Sequence, residues 1–268
     1  MPEVDEHRTA TGRPVEERRT ASRREIVARL AAAQKSNRGA AGYSRWINRP
    51  LGRQFAAFAY RAGWSPNRVS IVSAAFTYAA IALVASLRPT WPLAVGVVLL
   101  FVIGYALDSA DGQVARLSGA GSVAGEWLDH VLDAVKIACF HGAVAVCWFR
   151  YFELPHARWL LVPLGFGAVS SVFFFALILS DLLRRIERVK AGGTAVTTAS
   201  VNPNEDASVL RSLVVLPNDY GVLCLVMVLL PLHRTFQWVY AALAAANALF
   251  LAAGLTGWFR EMQSFRRD

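Results

Sequence analysis

The chain has 268 residues, of which 55% are hydrophobic, and its mean hydropathy is +0.36. Soluble domains are usually more polar than this, so the composition indicates a membrane protein. The formal net charge is +9. Because no nucleic-acid-binding motif accompanies that charge, it favours anionic lipid rather than nucleic acid as the partner. Cys139, Cys147 and Cys224 lie in apolar stretches without paired spacing, which argues against a disulfide or zinc site.

Two regions precede the first apolar segment. Residues 1–41 form a polar, basic extension that we expect to be partly disordered and dispensable for activity. Aromatic residues then alternate with arginines over 42–63, a pattern typical of an amphipathic helix at the membrane interface. Pro50 lies within this stretch and predicts a kink or a restart of the helix.

Six apolar segments follow, and a bilayer core of about 30 Å needs about 20 helical residues to cross it. The predicted fold is an all-α integral membrane protein with one membrane domain over 42–262 and a basic tail over 263–268. A polar segment at 191–217 predicts a loop between the fourth and fifth spans. We expect the six transmembrane helices at 66–87, 90–116, 122–149, 157–183, 219–233 and 236–259.

The distribution of basic residues orients these spans. The connections between spans one and two, three and four, and five and six contain few of the 28 Lys and Arg residues. The positive-inside rule therefore places both termini in the cytoplasm of a multi-pass cell-membrane protein. The turn between the second and third spans lies on the same side.

Four aspartates flank that turn, although the segments around them are apolar. Asp108 and Asp111 are three residues apart and Asp129 and Asp133 are four apart, so each pair shares one face of a helix. Antiparallel packing of the two spans brings the pairs together. Ionised carboxylates in such a place repel each other, so they require either protonation or divalent cations. Oxygen ligands at this density suit Mg²⁺, Mn²⁺ or Ca²⁺, and paired ions can support displacement at phosphorus.

Small residues and one cation lie among the acids. Gly112 follows Asp111, and Gly125 lies four residues before Asp129, so a substrate or a second backbone can approach closely. Arg116 can hold a phosphate through two hydrogen bonds. Each residue alone is more typical of helix packing or of a basic membrane anchor, whereas their combination indicates a binding site.

The spacing of eight residues around the turn resembles the signature of the CDP-alcohol phosphotransferase family. These residues are Asp108-x2-Asp111-Gly112-x2-Ala115-Arg116-x8-Gly125-x3-Asp129-x3-Asp133. The resemblance covers about 43–262. It implies transfer of a substituted phosphate from a CDP-alcohol, with CDP-diacylglycerol as the first expectation, to an acceptor hydroxyl with release of CMP. It also implies phospholipid synthesis, a centre of two Mg²⁺ or Mn²⁺ ions and a homodimer.

The resemblance assigns roles to individual residues. All four aspartates would bind metal, and Asp133 would also be the general base. The donor would be held by Gly112, Arg116 and Ser122, and by Asn67, Arg68, Val69 and Ser70 of the element "SPNRVS".

Three basic residues are further candidates for contact with the acceptor. Lys136 lies one turn after Asp133 and can steer an acceptor or pair with a carboxylate. Arg184 and Arg185 can bind a phosphorylated acceptor, although the positive-inside rule explains these arginines as well.

The identity of the acceptor stays open. "GEWLDHVLD" resembles the choline and ethanolamine phosphotransferases, whereas "INRPLGR" resembles the relatives that transfer inositol phosphate. A soluble CDP-alcohol donor with a lipid or polyol acceptor is therefore an alternative. In a different class, a divalent-ion transporter could use the carboxylates alone, but such a path has no need of Gly112 and Arg116.

Overall fold

The computed structural model describes residues 22–32, 41–190, 192 and 209–265. Within these residues nearly all secondary structure is helical and no strand occurs. The predicted all-α class is therefore confirmed. Most of the predicted N-terminal disorder, the loop over 193–208 and the end of the basic tail lie outside the described residues.

In the described part of the N-terminal region, two helices precede the first long apolar one. Helix α1 (Arg23–Ala32) packs on α2 (Arg49–Arg61), and the chain enters α2 through a π-helical turn, Ser44–Asn48. Pro50 lies in the first turn of α2. Helical backbone runs without a break from the π-helical turn into α2, so the helix does not restart at the proline, and the π-helical turn is the local irregularity that precedes it.

Among the residues that the structure describes, five helices are long and apolar enough to cross a membrane. Ser65 caps the first of them, because its Oγ accepts a hydrogen bond from the Arg68 N–H, and Pro66 begins its first turn. The first four are α3 (Pro66–Ser86), α4 (Trp91–Ser118), α5 (Val123–Tyr151) and α6 (Leu161–Lys190), the last extended at its start by a 3₁₀ turn.

Short elements follow α6. Helix α7 (Val209–Val214) lies within the predicted loop, and the fifth long helix is α9 (His233–Ser264). Between them, α8 (Tyr220–Val226) continues as a 3₁₀ turn, and together they form a short apolar helix, Tyr220–Leu229, that is not among the five long spans. The expected span at 219–233 is therefore shorter than the other five, since Pro231 soon interrupts the helix.

The chain nevertheless passes from one end of the bundle to the other at α8. Asp219, which caps α8, accepts a hydrogen bond from the Ser44 N–H, near the end of α4 that carries the aspartates. The ring of His233, at the start of α9, stacks on Phe152 at the far end of α5, with ring centroids 4.1 Å apart. Residues 219–233 thus run between the two ends of the bundle through one short apolar helix, and the count of six transmembrane helices stays a prediction.

The packing of α3 sets the space around the aspartates. Helices α4 and α5 both pack on α3, whereas direct contact between α4 and α5 is sparse among the described helices. At Gly104, α4 approaches α3 so closely that a Cβ would overlap Thr77 Oγ1. As a result α3 holds two acidic helices side by side and leaves an opening between them.

Candidate active site

The turn between α4 and α5 brings the aspartates to one end of the bundle. Gly119 has φ +66°, a left-handed conformation that glycine adopts at little cost. Ser122 caps α5, because its Oγ accepts a hydrogen bond from the Gly125 N–H. Ser122 therefore has a structural role, and its contact with a donor stays a prediction.

Three of the four aspartates come together. Carboxylate oxygens of Asp108, Asp129 and Asp133 all lie within 4.8 Å of one another. Divalent cations such as Mg²⁺ and Ca²⁺ lie about 2.0–2.6 Å from carboxylate oxygens, so oxygens at this separation can share one ion. This donor set fits a hard divalent cation, and we call these three residues the acid cluster.

Lys136 lies within the acid cluster. Its Nζ donates hydrogen bonds to Asp108 at 2.8 Å and to Asp133 at 2.6 Å, and only 6% of its side chain is exposed. The ammonium offsets part of the repulsion between the two carboxylates, which burial would otherwise strengthen. Because Asp108 belongs to α4 and Lys136 to α5, this contact also joins the two helices. Of the two expected roles, the structure shows carboxylate pairing.

Asp111 makes its hydrogen bonds elsewhere. Its carboxylate accepts hydrogen bonds from Ser70 Oγ on α3 and from the Gly112 N–H, and the residue is 7% exposed. Asp111 is not part of the acid cluster, so its role as a metal ligand stays a prediction. Ser70, which we expected near the nucleotide, supports this aspartate.

Two glycines and two polar side chains define a second face beside the acids. A Cβ on Gly112 would come 3.3 Å from Arg116 Nη1, so the guanidinium lies over the glycine. A Cβ on Gly125 would come 2.8 Å from Asn67 Oδ1, so α3 approaches α5 there. Gly112 and Arg116 thus lie together on α4, and Asn67 lies against Gly125 where α3 meets α5, so the contact of these three residues with a donor stays a prediction.

The remaining two residues of "SPNRVS" point away from this face. The Arg68 guanidinium lies 4.6 Å from the ring centroid of Trp64. Val69 is fully buried in the apolar core formed by α1, α2 and α4. The structure gives neither side chain a place at the opening, which leaves their backbone as the part that can reach a donor.

Arg184 and Arg185 are paired with acids. Arg184 makes two hydrogen bonds of 2.7 Å to Glu261 of α9. Arg185 contacts Glu126 of α5 and Asp181 of α6, each at 2.7 Å. A phosphorylated acceptor would therefore compete with a carboxylate at each arginine.

A cavity of about 440 Å³ lies beside the acid cluster. Tyr220 of α8 lines it, and Lys136 Nζ lies 5.7 Å from the centroid of the Tyr220 ring, so the cavity and the acids are adjacent. Sequence reasoning missed this cavity, because its apolar lining has the spacing of ordinary helix packing. One signal was present in the sequence: His141 is a polar residue within an apolar span, and it lines the cavity.

These features together define a helical membrane protein with an acidic centre and an adjoining polar face. A model of the CDP-alcohol phosphatidyltransferase family matches residues 64–258, which include all four aspartates. The chain therefore belongs to that family, and the resemblance seen in the sequence is confirmed. It is a membrane transferase of phospholipid biosynthesis that acts on CDP-alcohol donors and alcohol acceptors. A comparison with curated proteins gives no match.

Proposed function

We propose that the protein transfers a substituted phosphate from a CDP-alcohol to an acceptor hydroxyl and releases CMP in a reaction that requires Mg²⁺ or Mn²⁺. The observation that carries this proposal is the acid cluster, whose oxygens lie within 4.8 Å of one another. The family supplies the reaction class. We propose in addition that the reaction requires metal, that two ions take part, and that the substrates are those named below.

The acid cluster would hold the metal, and Asp111 would complete the set of ligands after release of Ser70. When bound, divalent ions polarise the phosphoryl oxygens and stabilise the departing phosphate. Arg116 binds the diphosphate through its guanidinium, and Gly112 leaves the space that the diphosphate needs.

Asp133 is the proposed base. Its carboxylate takes the proton of the acceptor hydroxyl while the acceptor oxygen bonds to phosphorus and the bond from phosphorus to CMP breaks. Lys136 fixes the orientation of this carboxylate through its 2.6 Å hydrogen bond. Asp133 and its positioning residue lie on the same helix, one turn apart.

CDP-diacylglycerol is the first donor that we propose, and a soluble CDP-alcohol is the second. The ion pairs of Arg184 and Arg185 argue against a phosphorylated acceptor, because each guanidinium already has a carboxylate partner. We also propose a homodimer in the cell membrane with the acid cluster facing the cytoplasm. The distribution of Lys and Arg supports this orientation, and the family resemblance supports the homodimer.

The test is CMP release by the purified full-length protein in lipid nanodiscs. CDP-diacylglycerol, CDP-choline and CDP-ethanolamine serve as donors, each with a panel of water-soluble and lipid alcohols and with Mg²⁺ or Mn²⁺. We expect CMP from at least one combination, and loss of CMP release with EDTA. If no combination gives CMP while the protein carries divalent ions across a vesicle membrane, the transporter is the correct function.

A further inference from the structure

Along α5 the lining of the cavity begins at Ile137, one helical turn after the proposed base, and extends into the apolar part of the bundle. Ile137, Phe140 and His141 line it, and they follow Asp133 by four, seven and eight residues on α5. Residues at this spacing share one face of a helix. At 1.5 Å per residue, His141 lies roughly 12 Å farther along α5 than Asp133. The cavity therefore leads away from the base along the helix that carries it.

The cavity and the residues proposed to hold the donor belong mostly to different helices. The donor face is formed by Asn67 on α3 and by Gly112 and Arg116 on α4. The described lining of the cavity includes no residue of α3, and Tyr105 is its one residue from α4. In phosphoryl transfer the attacking and leaving oxygens lie roughly in line on opposite sides of phosphorus. An acceptor in the cavity would therefore approach along other helices than those that hold the donor, which is compatible with in-line transfer.

The walls of the cavity are mostly aromatic and aliphatic. The apolar lining residues from α6 and α8 are Phe166, Phe173, Phe174, Leu177 and Leu223. Its volume is within the range of about 300–1,000 Å³ that ligand pockets have, and such pockets are mostly apolar with a few polar groups. Polar residues also line the cavity, but several of them are already bonded to protein groups: Ser44 Oγ to Tyr105, Asp219 to the Ser44 N–H and Asn247 to the Pro217 carbonyl. A polyol or a sugar phosphate would therefore lose its water there for few new hydrogen bonds. An apolar chain would lose nothing by entering.

We infer that the acceptor is a lipid alcohol whose hydroxyl lies at Asp133 and whose apolar body occupies this cavity. This inference rests on the proposed transfer reaction, and it favours the second of the two proposed donors, a soluble CDP-alcohol. It also agrees with the ion pairs of Arg184 and Arg185, which leave a neutral acceptor as the better partner.

His141 is the polar group that recognises this acceptor. Its ring is 3% exposed and is held by a hydrogen bond between Nδ1 and Tyr240 Oη. The Phe166 ring packs on it at a centroid distance of 4.4 Å. Gly167 allows this packing, because a Cβ there would lie 3.1 Å from His141 Cβ.

One ring nitrogen of His141 is left for a ligand. Among the described residues only Nδ1 has a hydrogen-bond partner. In the tautomer in which Tyr240 donates to Nδ1, Nε2 carries a proton that an ester carbonyl can accept. His141 is thereby a specificity-determining residue for an ester-linked lipid alcohol such as a diacylglycerol.

The first test fills the cavity. Ser170 lines it, whereas Ser171 is the next residue on α6 and is exposed on the outside. We expect Ser170→Phe to raise the KM for long-chain diacylglycerol by roughly tenfold or more, because the ring occupies the space of the chain. The donor KM should stay unchanged. Ser171→Phe, the matched control, should leave both constants as they are in the wild type.

The second test removes the polar group. His141→Phe should raise the KM for diacylglycerol by roughly tenfold, the loss expected for one buried hydrogen bond. It should also abolish the preference for diacylglycerol over a dialkylglycerol, which has no ester carbonyl. His141→Gln, which keeps a donor, should retain part of that preference. A purely structural role would lower kcat with both lipids alike.

The outcomes separate this inference from the proposed function. CMP release that is faster with glycerol, inositol or their phosphates than with any lipid alcohol would overturn the inference and leave the transfer reaction intact. An increase of the donor KM in Ser170→Phe would do the same, since it would assign the cavity to the donor. Absence of CMP with every donor and acceptor would overturn the proposed function itself.

Discussion

The inner helices of the bundle, α3 to α5, and the outer helices, α6 and α9, differ in how much of each is covered by protein. In the most apolar stretch of each helix, 44% of the residues are buried in α3 and 39% in both α4 and α5, but only 11% in α6 and 17% in α9. The inner group carries the acid cluster and the donor face. The outer group forms much of the wall of the cavity. The phosphate chemistry is therefore placed on closely packed helices, and the proposed lipid site on helices that face lipid.

The largest effect should come from the acid cluster. Asp133→Asn keeps the size of the side chain but removes the base, so we expect CMP release to fall by about 10²–10⁴-fold. Glu153→Gln, at the opposite end of the bundle, is the matched control and should have wild-type activity. Rates are compared at saturating donor and acceptor. Near-normal turnover by Asp133→Asn would show that Asp133 is not the general base.

Removal of Lys136 should destabilise the inner helices. In Lys136→Met the carboxylates of Asp108 and Asp133 lose their buried partner, and breaking such a pair costs about 3–5 kcal/mol. The control is Lys190→Met, because Lys190 pairs with Glu187 on the surface, where such pairs contribute about 0–1 kcal/mol.

The readout for Lys136→Met is thermal unfolding in detergent with EDTA and with Mg²⁺. In EDTA we expect the variant to have a lower Tm than the wild type. Addition of Mg²⁺ should raise the Tm of the variant by more than that of the wild type, because in the variant Mg²⁺ is the one cation left to offset the repulsion between the carboxylates of Asp108 and Asp133. Equal losses of Tm in the two lysine variants would show that the buried ion pair stabilises the fold no more than the surface pair does.

Glycine substitutions should separate the inner from the outer helices. Gly104→Ala places a Cβ against Thr77 Oγ1, so we expect a loss of about 1–3 kcal/mol from overpacking between α3 and α4. Gly257→Ala on α9 meets no atom within 4 Å and should be neutral or slightly stabilising. The free energies of unfolding of both variants are measured in detergent. A larger loss in Gly257→Ala than in Gly104→Ala would contradict this expectation.

The smallest effect should come from α1. Ile26 is 1% exposed and packs in the core that α1 shares with α2 and α4. Ile26→Ala should weaken the docking of α1 by about 2 kcal/mol, seen as faster hydrogen exchange over residues 23–32. Arg24→Ala, on the exposed face of the same helix, should not change that exchange. A strong loss of CMP release in Ile26→Ala would contradict our expectation that residues 1–40 are dispensable for activity.

Charged residues explain how much of the site could be predicted. A carboxylate inside an apolar segment has a large energetic penalty, so Asp108, Asp111, Asp129 and Asp133 indicate a site from spacing alone. The turn could also be predicted, since Gly119 and Ser122 have the properties that a helix end and a helix start require. The separation of Asp111 from the other three aspartates could not be predicted, because its hydrogen bond from Ser70 joins residues 41 positions apart in the chain.

Apolar residues explain what could not be predicted. A phenylalanine that lines a cavity and one that fills a core have the same spacing along a helix, so the sequence did not reveal the cavity at His141. The length of α8 was also missed, because residues 219–233 have the composition of a span while Pro231 and the cap at Asp219 shorten the helix. Such differences depend on how neighbouring helices fit together, which no local pattern records.

The shortness of α8 has a consequence for how a lipid could reach the cavity. Backbone that is not helical is tolerated at membrane depth only where protein covers its polar groups. Two hydrogen bonds tie the turn before α8 to its neighbours: Asp219 accepts from the Ser44 N–H, and Asn247 of α9 donates to the Pro217 carbonyl. Outward movement of α9 would break the bond from Asn247 to the Pro217 carbonyl. We therefore expect a lipid to enter along α6 by rotation of Phe173 and Phe174, which line the cavity, while α9 stays in place.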